Sequence, residues 1–363
     1  MSGLDRLLSE QKLPHPGAKI GFLGHHASIT KNGQHAIDAL IERKEWEILK
    51  LFSPEHGFFG DAGPGEKVQH FTHPKWKIPV YSLYGENRSP QKEWLEDLDL
   101  IVIDLQDLGV RCYTYASTLC LMLKACADAQ INVLVLDRPT PLQGCVDGPD
   151  LSIKHSSFVG MIDLPLVYGL GQGKLAMFLK SQEKSLQHLK LEVVFGIPPH
   201  GITPRWTPPS PAIVSPESAL LYPLTVWCEA IPDIWVDREG KNSFQIWLMP
   251  DFPEDLLNTP LEMRGVTAEP YASHTPTGVW KGFQFTITDQ KLYRPVACAV
   301  QLLCALRDRL GNDRLFRSPE ARPEFFDQLM GTSSVREKIL AGLNAEQVVT
   351  GWSSDLPSTK VVF

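Results

Sequence analysis

The sequence predicts an α/β protein, a Rossmann-like parallel sheet domain followed by a smaller α+β domain. Three observations carry this. Short apolar runs alternate with helical patterns through the first half, the rhythm of βαβ units. One run, Asp99–Leu105 (DLIVIDL), is almost continuously apolar, as a central parallel strand buried on both faces must be. Prolines are concentrated: 14 of the 29 lie between Pro198 and Pro276, a stretch too interrupted for long helices. The 363 residues suit two domains, expected at 1–197 and 198–363.

In chain order, Lys19–Gly24 (KIGFLG) reads as a short buried strand and Gln34–Arg43 has helical periodicity. Glu47–Phe52 and Ile78–Leu83 read as strands, and after DLIVIDL comes an apolar helix over Ala116–Ala129. Asn132–Leu136 is the next strand, Gln172–Ser181 a helix, and Leu191–Phe195 a strand. Ile197–Pro223 reads as an extended loop, and Trp235–Asp251 fits no single period. Phe283–Thr288 alternates like a strand, Pro295–Leu310 predicts a long helix, and Glu324–Leu343 one or two more.

Composition narrows the function. The net charge of −7 argues against a general nucleic-acid binder, which carries a basic patch. No apolar run is long enough for a membrane span. The first residues lack the apolar core of a signal peptide, and seven cysteines without a CxxC pair read as reduced thiols. The expectation is a cytoplasmic protein, or a periplasmic one if a leader has been removed. Oligomeric state is not legible.

The chemistry is expected where the strands end, since open α/β sheets bind ligands outside the carboxyl ends of their strands. His25 and His26 follow the first strand, and Glu55 and His56 follow the second in a Pro-Glu-His-Gly turn. Tyr84 ends the third. Asp104, Gln106 and Asp107 end the fourth, followed by Arg111, and Asp137 with Arg138 ends the fifth. Glu55 stands beside apolar Phe58 and Phe59, surroundings that favour the neutral acid and suit a general acid. Asp104 should be partly buried and need Arg111 or Arg138 as partner. Two carboxyl groups across a cleft suit glycosidic bond hydrolysis. Tyr81, Tyr84, Tyr113 and Tyr115 offer rings for stacking on sugars, or ordinary packing under the loops.

Other motifs fit less well. Gly169–Lys174 (GLGQGK) matches neither GxxxxGK[ST] nor GxGxxG, so it reads as a helix start and no nucleotide cofactor is expected. His70 and His73 stand in a polar loop without metal-ligand spacing, so no metal is expected either. There is no GxSxG elbow, and Cys112 has no evident base beside it.

Four segments resemble the exo-β-N-acetylmuramidase (NamZ-like) family, earlier known as DUF1343. They are SPEHGFFGDAGPGEKV (53–68), PVYSLYG (79–85), DLQDLGVRCYTYASTL (104–119) and VLDRPTPLQG (135–144). The resemblance runs through most of the chain. It implies a cleft between two domains and release of N-acetylmuramic acid from the non-reducing ends of peptidoglycan fragments, as in cell-wall recycling. Carried over by residue, it implies Glu55 as general acid with His56 beside it, and Asp104, Asp107 or Glu66 as counterpart. Gln106, Asp137, Tyr84, Tyr113, Tyr115 and His25 are implied at the substrate. Arg111 and Arg138 are implied to orient carboxylates or hold the lactyl carboxylate of muramic acid.

Some positions depart from the family pattern. Leu23-Gly24-His25-His26-Ala27 replaces Leu-Thr-Asn-Gln-Thr, and Lys174 replaces a glutamate. Ala212 replaces an asparagine, and Asp237-Arg238-Glu239-Gly240 keeps only an arginine of its motif. The alternative function is therefore a catalytically impaired homologue that binds cell-wall sugars without turnover.

Overall fold

A computed structural model describes residues 1–197, 206–259, 261, 263–275 and 278–356. Strands β1 (Lys19–Gly24), β2 (Glu47–Ser53), β3 (Phe71–Thr72), β4 (Pro79–Ser82), β5 (Leu100–Asp104), β6 (Asn132–Leu136) and β7 (Leu191–Val194) form one sheet, ordered β3-β4-β2-β1-β5-β6-β7. All pairings are parallel except that of β3, a two-residue antiparallel edge. Among the six parallel strands the order is third, second, first, fourth, fifth, sixth, the doubly wound Rossmann arrangement. The strands and helices expected in the first half are thus found with ends moved by a residue or two, and the edge strand β3 and short helices over 3–9 and 92–95 are added to them.

The two faces of the sheet are covered differently. Helices α1 (Gly3–Ser9) and α2 (Ala36–Arg43) pack on one face, where Leu4, Leu7, Ile37 and Leu40 meet Ile20, Phe22 and Val102. Helices α3 (Lys92–Leu95), α4 (Tyr115–Ala129) and α5 (Gln172–Gln182) lie on the other. There the apolar core runs on without a break into the second half, from Ile101 and Leu119 to Trp227, Leu303 and Phe326.

The second half holds α6 (Pro216–Thr225), β8 (Ile246–Met249), α7 (Glu254–Leu257), β9 (Val266–Thr275) and β10 (Gly278–Ile287). Helices α8 (Pro295–Asn312), α9 (Pro323–Met330), α10 (Ser334–Leu340) and α11 (Ala345–Val349) follow. Its sheet is antiparallel, ordered β8-β10-β9. The extended loop expected over 197–223 is corrected here: its last part is the helix α6, and 198–205 lie outside the described residues. Pro216 occupies the first turn, where no intrahelical N–H bond is lost, and Ser215 Oγ accepts from Ser218 N at 3.1 Å.

Candidate active site

The strand ends do deliver polar side chains to one edge, but packing sorts them into two groups. β2 ends at Ser53, and the chain reverses through Pro54–Gly57 with His56 and Gly57 both left-handed, at φ 71° and 78°. A histidine in that region carries backbone strain of the kind concentrated at functional sites. The turn places Glu55 at 8% exposure. Its Oε2 accepts from Thr114 Oγ1 at 2.6 Å and its Oε1 from Gly65 N at 3.1 Å. The Tyr84 hydroxyl also faces it; burial, with the Glu55 charge beside it, pushes that phenol up to about 12. His56 Nδ1 lies 2.9 Å from the Ala62 carbonyl. A carbonyl only accepts, so Nδ1 is the donor in this contact and Nε2 is left for another partner.

Phe58 and Phe59, the apolar company expected for Glu55, do not line the cleft described below. Phe58 is buried against His35, His73 and Trp76, and Phe59 is 46% exposed and stacked on Phe71.

Glu55, His56, Tyr84, Tyr113 and Thr114 line a cleft of about 490 Å³. Its other wall comes from the second half, with Ser210, Ala212, Tyr222, Glu229, Arg238 and Arg322. Arg88 lies over the Phe158 ring at 4.5 Å and Arg322 over Phe325 at 4.6 Å. Among the described residues neither has a carboxylate partner, whereas Arg238 is paired with Glu229. Two cations held on aromatic faces and left without counter-ions suit an anionic ligand.

The remaining expected residues are not brought to this cleft. Asp104 is fully buried and bound by Arg138 at 2.5 and 2.8 Å; burial still holds its carboxyl above the usual range. Asp107 accepts from the Tyr168 hydroxyl at 2.7 Å and is pushed by burial up to about 6. Arg111 is fully buried and donates to the carbonyls of Pro149, Leu164 and Met330; burial lowers it to about 10. Asp137 accepts from Gly173 N at 2.9 Å, which fills the N-terminus of α5 with the chain's own carboxylate. Gln106 donates to the Asp107 and Pro139 carbonyls. Glu66 is exposed and accepts from Gly63 N. For the buried ones the physical reason is shared: a polar group buried at the end of an apolar strand needs partners, and here the protein supplies most of them, leaving only Asp107 Oδ1 and Arg111 Nε among these groups without one.

The switch point of the sheet, between β1 and β5, is also filled. His25 Nε2 accepts from Gln106 N, and His25 Nδ1 lies 3.2 Å from the Pro209 carbonyl. His26 Nε2 donates to Pro208 O at 2.7 Å and the Tyr115 hydroxyl to Pro209 O at 2.7 Å. The segment around Pro208 and Pro209 thus occupies the crevice in which a Rossmann sheet would hold a ligand. The cleft is displaced toward the ends of β2 and β4.

Sequence reading missed Thr114, Arg88, Phe158, Glu229 and Arg322. Thr114 sits between two tyrosines already singled out, so its position was signalled. Arg238 was visible as the surviving arginine of an altered motif.

Fold and cleft together define a Rossmann-type α/β protein with a polar, arginine-bearing cleft walled by both halves of the chain. Residues 20–217 match the family model for the N-terminal part of the exo-β-N-acetylmuramidase NamZ, and residues 220–359 match that for its C-terminal part. The chain belongs to the NamZ exo-β-N-acetylmuramidase family, a family of glycosidases. It is 30% identical to the peptidoglycan β-N-acetylmuramidase NamZ of Bacillus subtilis (strain 168), covering 98% of this chain and 88% of that protein. A crystal structure of a DUF1343 family protein from Bacteroides fragilis superposes with TM-score 0.80 at 27% identity, covering 93% of this chain and 90% of that one. A second B. fragilis DUF1343 structure shares the fold, with TM-score 0.70 at 24% identity, covering 97% and 94%. Among the described residues no helix is long and apolar enough to cross a membrane.

Proposed function

We propose that this protein is an exo-β-N-acetylmuramidase that releases N-acetylmuramic acid from the non-reducing ends of peptidoglycan fragments, in a cytoplasmic recycling step. Domains at 1–197 and 198–363 would form the two walls of its cleft. The observation that carries the reading is Glu55: a carboxyl group in the cleft, held by a hydroxyl and a backbone N–H rather than by a cation. The Thr114 and Tyr84 hydroxyls can donate to its carboxylate or accept from its acid, so Glu55 can give up a proton and regain it without losing its partners.

In the first step Glu55 protonates the glycosidic oxygen as the C1–O bond breaks. The other cleft carboxylate, Glu229, is tied to Arg238. The role of nucleophile therefore falls to the sugar's own 2-acetamido oxygen, which attacks C1 from the opposite face. Glu55, now a carboxylate, takes a proton from the water that opens the resulting ring, with His56 Nε2 positioned to hold that water. Arg88 and Arg322 would receive the lactyl carboxylate, a task that the family resemblance implied for Arg111 and Arg138.

The test is turnover of an aryl β-N-acetylmuramide, with the anomer of the first-formed sugar followed by NMR. Retention, inhibition by a thiazoline analogue and a loss of about 10²–10⁴ in kcat for Glu55→Gln are expected. Inversion would remove substrate assistance. Turnover equal in Glu55→Gln would remove the assignment of Glu55. The second reading, a binding homologue without turnover, is favoured by Ala212, which lines the cleft where the family motif has asparagine. Tight calorimetric binding of a muramic-acid disaccharide with no hydrolysis would select it.

A further inference from the structure

A second cavity, of about 680 Å³, adjoins the cleft and shares Glu229, Arg238 and Arg322 with it. We propose that this cavity is the subsite that receives the sugars on the reducing side of the cleaved bond, with Trp235 as its stacking platform. The proposal rests on the glycosidase reading above and names where the rest of the substrate goes.

The lining has the chemistry of a saccharide site. Ile231, Ile234 and the half-buried Trp235 give it an apolar floor, and Asp237 and Glu239 add carboxylates at its edge. Apolar and aromatic surface with a few placed polar groups is what orients a ligand in cavities of about 300–1,000 Å³. The axial C–H face of a pyranose can lie on the indole while its hydroxyls donate to the carboxylates and accept from the arginines.

The site is built rather than incidental. Trp235 exchanges both backbone hydrogen bonds with Leu248 of β8, at 2.8 and 3.0 Å, so the ring stands on a fixed strand partner. The following turn folds the Asp237 carboxylate over Gly240, where a Cβ would lie 2.2 Å from Asp237 Oδ1. Asp237 Oδ2 also accepts from Asn242 N at 3.1 Å. Asp233, Asp237 and Phe244 all adopt left-handed backbone, at φ 57°, 51° and 58°. Of these Asp237 lines the cavity and Phe244 the adjoining cleft, so left-handed non-glycine backbone, which only a stable surrounding structure maintains, stands at both.

Position supplies the direction. The cleaved bond must lie at Glu55, which lines the same cleft as Arg238, and Arg238 belongs to both cavities. A chain leaving Glu55 past Arg238 enters the second cavity.

The experiment compares wild type with Trp235→Ala on two substrates. One is β-N-acetylmuramyl fluoride, whose one-atom leaving group cannot reach the cavity. The other is N-acetylmuramyl-β-1,4-N-acetylglucosamine and its longer homologues. The expected result is a loss of roughly tenfold or more in kcat/KM on the oligosaccharides, with the fluoride rate within about twofold of wild type. Equal losses on both substrates, or no loss on either, would overturn the proposal; the fluoride rate also reports whether the variant folds. If wild type turns over neither substrate, the glycosidase reading fails by itself. The cavity is then judged by calorimetry with chitobiose, where binding lost in Trp235→Ala supports it and no binding to wild type overturns it.

Discussion

Burial gives two residues opposite dependences on pH. His35 caps α2, with its Nδ1 accepting from Ile37 N and its Nε2 bonded to the His25 carbonyl. Burial pushes its ring down to about 4. The unfolded chain binds that proton near pH 6.5 and the folded chain does not, so stability is lost as pH falls from about 6.5 toward 4. The advantage of wild type over His35→Asn should shrink across that window, by up to about 3 kcal/mol, in urea titrations at several pH values. An advantage independent of pH would show that His35 is not neutral in the fold. Asp107 runs the other way. Its raised value of about 6 means that stability is present below the unfolded value and is lost as pH rises toward 6. Asp107→Asn should flatten that decline, and a decline of unchanged slope would assign it to another group. The sequence marked Asp107 as chemically important. It is a buried acid on a tyrosine hydroxyl, which only the packing of Tyr168 reveals.

At the scale of elements, α9 and the loop after β5 depend on one glycine. Gly331 closes α9 at φ 77°, and a Cβ there would lie 2.1 Å from Arg111 Nη2. The Met330 carbonyl beside it accepts from the same guanidinium at 2.6 Å. Gly331→Ala therefore combines left-handed strain with a collision against a fully buried cation. It should destabilise by roughly 2 kcal/mol or more, read as a lower denaturation midpoint with unchanged m. A change below about 0.5 kcal/mol would show that the guanidinium moves aside. Most strands were legible because a buried parallel strand is a continuous apolar run, and that signal is local. Helix α1 was missed although Ser2 and Asp5 form its capping box. Seven residues are too short for periodicity to register, and the helix is held by packing on the sheet. Helix α6 was missed because prolines read as breakers, while Pro216 stands at the position where a helix tolerates one.

For the whole molecule, the apolar core is continuous from the sheet face through the second half, and Arg111 stitches the two together through backbone carbonyls. Parts that share one core should unfold together. Calorimetry should give a single endotherm whose calorimetric and van't Hoff enthalpies agree, and two resolved transitions would contradict the shared core. This continuity also explains the second wall of the cleft: residues from 210 onward are fixed relative to Glu55 because they belong to the same packed interior.

The sequence by itself determined the sheet, the edge at which its polar strand ends gather, the family and the turn carrying Glu55 and His56, since each is written in local pattern or contiguous motif. Only the tertiary structure decided which polar strand ends meet solvent in a cleft and which are spent inside the protein. Asp104, Asp107, Arg111 and Asp137 were expected at the same site as Glu55, yet each finds an internal partner. Arg88, Arg238 and Arg322, distant in sequence, line the cleft beside Glu55 instead. A buried charge takes whichever partner the fold brings within reach, and that reach is a property of packing across more than a hundred residues.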